Sequence, residues 1–188
     1  MKQMFQTLSK LSFLLLIAFH FNAAHAQVDT SLASSLLKGN LQTFLINQLS
    51  GKLGTITVSE RFKLSNGSVE IGSRKVSSTR GTFDQITIKI TEKSGTQVFS
   101  LVQDAAGKLS ELQGGQLVSL RSASPANCIT QLFGAASACT NCKNKILNCI
   151  NTNNTFLKRV RCVFSSFDGS CISCGISLAA VVSCLKNN

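Results

Sequence analysis

The eight cysteines constrain this chain most, because they all lie in its C-terminal third. They occupy 57 residues, and no cysteine precedes them in the 188-residue sequence. An even number of closely spaced cysteines in an exported chain is typical of a disulfide framework. We therefore predict that all of them form disulfides: Cys128, Cys139, Cys142, Cys149, Cys162, Cys171, Cys174 and Cys184.

Helical spacing predicts how these cysteines are arranged. If residues 139–150 form a helix, Cys139, Cys142, Ile146 and Cys149 share one face of it. Cys142 and Cys149 would then be about 10.5 Å apart along the helix, beyond the roughly 7 Å that a disulfide spans. The cysteines must therefore pair across helices, in a small helical bundle or a pair of helical hairpins.

The cysteine spacing also suggests a duplication. Each half has a cysteine, a gap, a Cys-x-x-Cys motif, a second gap and a last cysteine. The second half therefore predicts a helical stripe over residues 171–185. Eight cysteines allow on the order of a hundred pairings, and the sequence does not select one of them.

The N-terminus has the pattern of a signal peptide. Lys2 and Lys10 precede the apolar residues 11–21, and Ala24-His25-Ala26 is a small-x-small cleavage site. The apolar stretch is shorter than the roughly 20 residues that a transmembrane helix needs. We therefore expect residues 1–26 to be removed, and the mature chain to be secreted or located in a bacterial periplasm.

Cleavage there would remove both histidines and both methionines, and the sequence contains no Trp or Tyr. Without His, the mature chain lacks the usual general base and the commonest metal ligand. We therefore predict a non-enzymatic protein with no cofactor and no metal. The formal charge falls from +11 to +9 when Lys2 and Lys10 leave. This charge favours an anionic membrane or cell-envelope surface as partner, rather than nucleic acid or a small-molecule substrate.

A composition change divides the mature chain. Residues 122–127 contain the only proline, Pro125, and are the predicted linker. Residues 27–121 are long enough for a small core and are predicted to form an α+β domain. Residues 128–188 are predicted to form a cysteine-rich, disulfide-stapled all-α domain.

The α+β domain begins with a helical pattern and continues with strands. Asp29 can cap an amphipathic helix whose apolar residues recur over residues 32–49, with a break at Gly39. Asn66-Gly67 and Lys93-Ser94-Gly95 each separate two alternating segments, which predicts two β-hairpins. Weaker strands follow around residues 112 and 117–120. We expect an antiparallel meander with one face packed on the helix and the other solvated.

The carboxylates of this domain are few and scattered. They occupy polar strand or turn positions, where a solvated side chain is the ordinary interpretation. The set comprises Asp29, Glu60, Glu70, Asp84, Glu92, Asp104 and Glu111.

The two Cys-x-x-Cys motifs, at residues 139–142 and 171–174, allow alternative interpretations. Such motifs occur in thiol-disulfide redox proteins, although no βαβ pattern precedes either motif here. Together they also supply four thiols, the number that a structural zinc site uses. Covalent haem attachment requires a His after the motif, but Lys143 and Gly175 stand there.

Cationic and aromatic residues in the cysteine-rich region are the candidate binding residues. Positive side chains beside aromatic ones are typical of helices that meet anionic headgroups. The predicted membrane-binding or anionic-surface-binding residues are Lys143, Lys145, Phe156, Lys158, Arg159, Arg161 and Phe164.

The layout of a cysteine-free first part followed by a compact, cationic, cysteine-dense end resembles precursors of disulfide-rich antimicrobial peptides, including the halocin-type bacteriocins. The resemblance implies a C-terminal effector, released by cleavage near Gly115 or Pro125. The segment 109–115 resembles part of a double-glycine leader site, although a turn between strands is the favoured interpretation. The cysteine spacing itself departs from the expected pattern.

Three functional hypotheses follow. The first is a secreted cationic precursor whose C-terminal region is antimicrobial, or acts on a membrane or envelope. The alternative is a structural or adhesive envelope protein, and the third is a Cys-x-x-Cys redox protein. Asn66 and Asn153 begin glycosylation sequons that are used only in a eukaryotic secretory route.

Overall fold

The computed structural model of the chain describes residues 30–120 and 124–186. The predicted signal peptide, the predicted helix cap Asp29 and residues 122 and 123 of the predicted linker lie outside the described residues. Within the described part, the chain forms a six-stranded antiparallel sheet and seven α-helices.

Two short helices open the described chain, α1 (Thr30–Leu36) and α2 (Asn40–Asn47). Gly39 separates them with φ at +141°, a conformation that L side chains rarely adopt. The break predicted at this glycine is therefore confirmed.

The strands form an uninterrupted meander in which each strand pairs with the next along the chain. The turns predicted at Asn66-Gly67, Lys93-Ser94-Gly95 and Gly114-Gly115 all connect neighbouring strands. Both glycines of the last turn have positive φ, as a tight hairpin turn requires. The strands are β1 (Lys52–Leu64), β2 (Gly67–Ser78), β3 (Gly81–Glu92), β4 (Gly95–Gln103), β5 (Leu109–Gln113) and β6 (Gln116–Ser119).

The C-terminal helices, which together we call the cystine layer (residues 125–186), cover one face of the sheet. They are α3 (Pro125–Phe133), α4 (Thr140–Thr152), α5 (Phe156–Ser166), α6 (Gly169–Ile172) and α7 (Leu178–Lys186), with a 3-10 turn at Ser137–Cys139. Residues 125–127 of the predicted linker lie in the first turn of α3, and Pro125 is buried. The helix predicted over residues 171–185 is broken between α6 and α7, where Gly175 has φ at +67°.

The apolar face of the sheet packs on the cystine layer, not on the N-terminal helices. Ile86, Ile88 and Ile90 of β3 are buried in one cluster with Ile146 and Val163 of the cystine layer. Because alternate strand residues point the same way, all three isoleucines face this layer. The sheet and the cystine layer therefore share a single core.

The N-terminal helices cover part of the opposite face of the sheet, whereas Arg61, Lys89 and Val98 on that face stay exposed, so the expected solvated face is found only in part. Arg74 is buried on this face and donates hydrogen bonds to Gln85 Oε1 (2.9 Å), Gln42 Oε1 (2.8 Å) and the carbonyl of Leu37 (3.3 Å). Burial lowers the pKa of the Arg74 guanidinium. Polar side chains of the strands thus hold the N-terminal helices by hydrogen bonds. The alternation of apolar and polar residues alone does not reveal these contacts.

Gly72 allows the close approach of α1. A Cβ at this position would lie 3.2–3.3 Å from atoms of Leu37, Ala33 and Leu36. The Gly72→Val substitution should therefore lower the free energy of unfolding by about 1–3 kcal/mol through overpacking, measured by urea denaturation with disulfides intact. Ser119→Val, at an exposed position of β6, should change it by less than about 0.5 kcal/mol. Equal stability of the two variants would contradict this packing of α1.

Candidate functional site

The candidate site is the cystine layer, and its four disulfides have a nested order. The first cysteine bonds the last, and each following pair lies inside the previous one. The pairs are Cys128–Cys184, Cys139–Cys174, Cys142–Cys171 and Cys149–Cys162, with sequence separations of 56, 35, 29 and 13 residues. Cystines across helices are therefore confirmed.

Nested pairing means that the chain runs out along one arm and returns along the other. The reversal lies between α4 and α5, where Cys149 bonds Cys162 and the Cα atoms are 5.5 Å apart. Once an inner disulfide has formed, the next disulfide outward closes only the short segments that separate the two bonds. The cystines therefore join the two arms at successive points. They hold the layer in one shape together with its own buried apolar side chains, among them Ile146, Val160 and Val181.

The two Cys-x-x-Cys motifs are bonded to each other. Cys139 pairs with Cys174 and Cys142 with Cys171, and neither motif closes an internal disulfide. Cys142 and Cys171 are fully buried. Among residues 30–120 and 124–186, no group of three or more His, Cys, Asp or Glu side chains is arranged to hold a metal ion.

Three carboxylates of the sheet contact positive groups of the cystine layer. Glu60 of β1 pairs with Arg161 of α5. Glu111 of β5 accepts from Lys186 at 3.0 Å, and the Lys186 ammonium also lies 5.6 Å from the centre of the Phe99 ring. These contacts bring opposite charges to both ends of the interface.

The third carboxylate meets a helix end. Glu92 Oε1 accepts a hydrogen bond of 3.1 Å from the backbone N–H of Leu178, the first residue of α7. A helix N-terminus carries partial positive charge, so a carboxylate is stabilising there. We call Glu60, Glu92 and Glu111, which lie at the margins of the apolar face of the sheet, the interface carboxylates.

The interface carboxylates show that the expectation of solvated side chains is wrong for three carboxylates of this domain. Glu60, Glu92 and Glu111 are all partly buried against the cystine layer. A signal was present in the alternation, since Glu92 shares strand parity with Ile88 and Ile90. Lys186, which sequence reasoning did not select, is the other charged residue that this interface requires.

The predicted cationic residues do not form one free cluster. Arg161 is held by Glu60, and the Nε of Arg159 donates to the Asn153 carbonyl at 2.8 Å. Lys158 is exposed on α5 and Lys143 is partly exposed on α4.

Lys145, also among the predicted binding residues, forms a salt bridge with Asp168 at 2.5 Å. Lys145 and the Ser170 hydroxyl hold the pKa of the Asp168 carboxyl well below its usual range. The structure therefore places Lys143 and Lys145 on α4, and Lys158, Arg159 and Arg161 on α5.

The two aromatic residues of the predicted binding surface lie inside the core. Phe156 and Phe164 are each 2% exposed. The Phe164 ring lies edge-on to Phe62 of β1, with 5.9 Å between ring centres. Both rings fall on the apolar stripe of α5, which turns toward the sheet because that side excludes water. Neither ring is available to a surface in this folded state.

Among the described residues, no helix has the length and apolarity needed to cross a bilayer. We then compared the chain with protein-family models, curated proteins and solved structures. None of them matches.

The nested pairing predicts which double substitution costs more. Cys142→Ser/Cys171→Ser removes one bonded pair and should lower the free energy of unfolding by about 2–4 kcal/mol. Cys139→Ser/Cys142→Ser removes the same number of sulfur atoms but breaks two bonds, so it should be the less stable variant in urea denaturation. The reverse order of stability would mean that each motif closes on itself.

Proposed function

We propose that this chain is a secreted, non-enzymatic protein whose cystine layer engages anionic membranes or cell-envelope surfaces. In this proposal the sheet masks the layer until the two are separated. The chain is thus a cationic precursor, and the cystine layer is an antimicrobial effector of the bacteriocin type. The observation that carries the proposal is the pairing of the interface carboxylates with the positive groups of the layer.

Charge complementarity supports masking. The cysteine-rich region has six cationic side chains against one carboxylate, Asp168. Two of its cations, Arg161 and Lys186, are neutralised by carboxylates of the sheet. An anionic surface would compete for the same two cations, so the masked and bound states are mutually exclusive at these positions.

The disulfide pattern supports separation. All four cystines lie within residues 128–184, so none joins the sheet to the cystine layer. A single backbone cut between Leu120 and Ser124 would leave only non-covalent contacts between the two. Glu60 Oε2 is buried without a hydrogen-bond partner in the described part of the chain, which reduces the stability that this contact contributes.

Release would expose an amphipathic surface. Phe164, Leu178 and their buried neighbours would lose the cover of the sheet, beside the freed charges of Arg161 and Lys186. Apolar side chains flanked by cations are what an interfacial helix needs to bind an anionic bilayer. The predicted roles of Phe156 and Phe164 would then apply to the released layer and not to the intact chain.

A second candidate is a structural or adhesive envelope protein that acts intact. The shared core favours it, because the isoleucines of β3 would be exposed if the cystine layer left. The bonds between the two Cys-x-x-Cys motifs likewise suit a stabilising role, and rank a redox function third.

An engineered protease site between Leu120 and Ser124 tests the proposal. After cleavage, the oxidised cystine layer should release dye from vesicles that contain phosphatidylglycerol and phosphatidylcholine, but not from vesicles of phosphatidylcholine alone. The uncleaved chain should be inactive, because its apolar surface stays covered. Activity of the intact chain alone would favour the adhesive candidate, and inactivity of the oxidised, cleaved layer would remove support for the effector.

The masking step has its own test. Glu60→Gln/Glu111→Gln should speed dissociation of the layer after cleavage by about tenfold, since each partly exposed ion pair contributes up to about 1 kcal/mol. Asp84→Asn/Asp104→Asn makes the same charge change outside the interface and should leave the rate unchanged. Dissociation can be followed by size-exclusion chromatography, and equal rates in both variants would contradict masking by charge.

A further inference from the structure

Two grooves meet at Arg61 on the edge strand β1. The first, of about 860 Å³, lies between α1 and the sheet and is lined by Lys38, Arg61 and Lys89. The second, of about 570 Å³, lies between β1 and α5 and is lined by Arg61, Lys158 and Arg161. Because β1 is at the edge of the sheet and Arg61 lines both grooves, the two grooves are adjacent at that edge.

These five cations form what we call the cationic band: Lys38, Lys89, Arg61, Arg161 and Lys158. Two carboxylates, Glu70 and Glu60, lie within it, so the band has a formal charge of +3. An excess of positive charge along two adjacent grooves attracts a ligand with repeated negative groups.

Glu70 fixes the centre of the band. Its two carboxylate oxygens lie 2.6 Å from Arg61 and 3.4 Å from Lys89, which flank it on the neighbouring strands of the sheet. Arg61 and Lys89 remain 54% and 41% exposed, so both can still contact a ligand. Their positions are therefore preset before binding, which lowers the ordering cost of a complex.

The groove linings identify the class of ligand. Ser35 lines the first groove, and Asn153 and Ser165 line the second, so hydroxyl and amide groups accompany the cations. Val98, which is 57% exposed, gives the first groove an apolar patch on which the face of a sugar ring can lie. Hydroxyl and amide groups can hydrogen-bond sugar hydroxyls, while arginine suits carboxylate or sulfate groups.

Nucleic acid and membrane are the less suitable partners. Among the described residues, the large apolar side chains that stay exposed are Ile46, Leu53, Val98 and Val118, and no aromatic ring is among them. Single-stranded nucleic acid is usually held by stacking of its bases on aromatic rings, and peripheral membrane binding uses exposed aromatic or apolar anchors.

We propose that the intact chain binds a linear anionic polysaccharide along the cationic band. The polymer would pass around the β1 edge, with its carboxylate or sulfate groups on Arg61, Lys89 and Lys158. This site goes beyond the proposed release of the cystine layer, since it requires both layers in place and no cleavage.

The test uses the full-length secreted chain and oligosaccharides of equal length. A polyuronate and a sulfated glycan should bind, and neutral dextran should not. The affinity should fall by at least about tenfold between about 50 and 200 mM salt, as expected when bound counterions are released. Comparison of the two charged ligands shows whether carboxylate or sulfate is preferred.

Matched variants separate the band from net charge. Lys38→Gln/Lys158→Gln removes two exposed cations of the band and should weaken binding by about tenfold. Lys93→Gln/Lys108→Gln makes the same charge change at exposed turn positions outside both grooves and should have little effect. Circular dichroism and thermal melting confirm that both variants stay folded.

Three results would overturn the proposal. These are no binding of either charged glycan at low salt, an equal loss of affinity in both variants, and binding of single-stranded DNA or phosphatidylglycerol vesicles at least as tight as that of the glycans. None of these results depends on cleavage, so failure here is distinguishable from failure of the release model.

Discussion

The apolar face of the sheet needs a cover, and the rest of the structure depends on how it is supplied. The helices α1 and α2 lie on the other side of the sheet and cannot cover Val69, Ile71 and the isoleucines of β3. The cystine layer supplies the cover, but about 60 residues make a limited core without covalent staples. The nested cystines fix the layer, and the fixed layer completes the core of the sheet.

This dependence explains the distribution of charge. The interface has three carboxylates on the sheet side, each opposite a positive group of the layer. The remaining cations stay at the surface, where Arg61 and Lys158 line the grooves beside β1. One arrangement thus produces both a neutralised interface and a cationic outer surface.

Local features of the fold could be predicted from the sequence. Asn66-Gly67 and Lys93-Ser94-Gly95 specify tight turns, and the alternation of Ile86, Ile88 and Ile90 specifies a strand with one apolar face. Helical periodicity likewise places Cys142 and Cys149 on one buried face of α4.

Long-range features could not be predicted in this way. Alternation states that a face is apolar but not which element covers it, so the cystine layer was missed as the partner of the sheet. The same difficulty concealed the burial of Phe156 and Phe164 and the interfacial role of Glu60. The disulfide order was also undetermined, because the spacing of Cys128 to Cys184 is compatible with many pairings.

Amide hydrogen exchange of β3, before and after reduction and alkylation of the cystines, tests the central claim most directly. If the sheet depends on the cystine layer, protection of the amides of Ile86, Ile88 and Ile90 should fall by at least about a hundredfold when the cystines are reduced. Unchanged protection in the reduced protein would show that the sheet is stable alone, and would contradict the account.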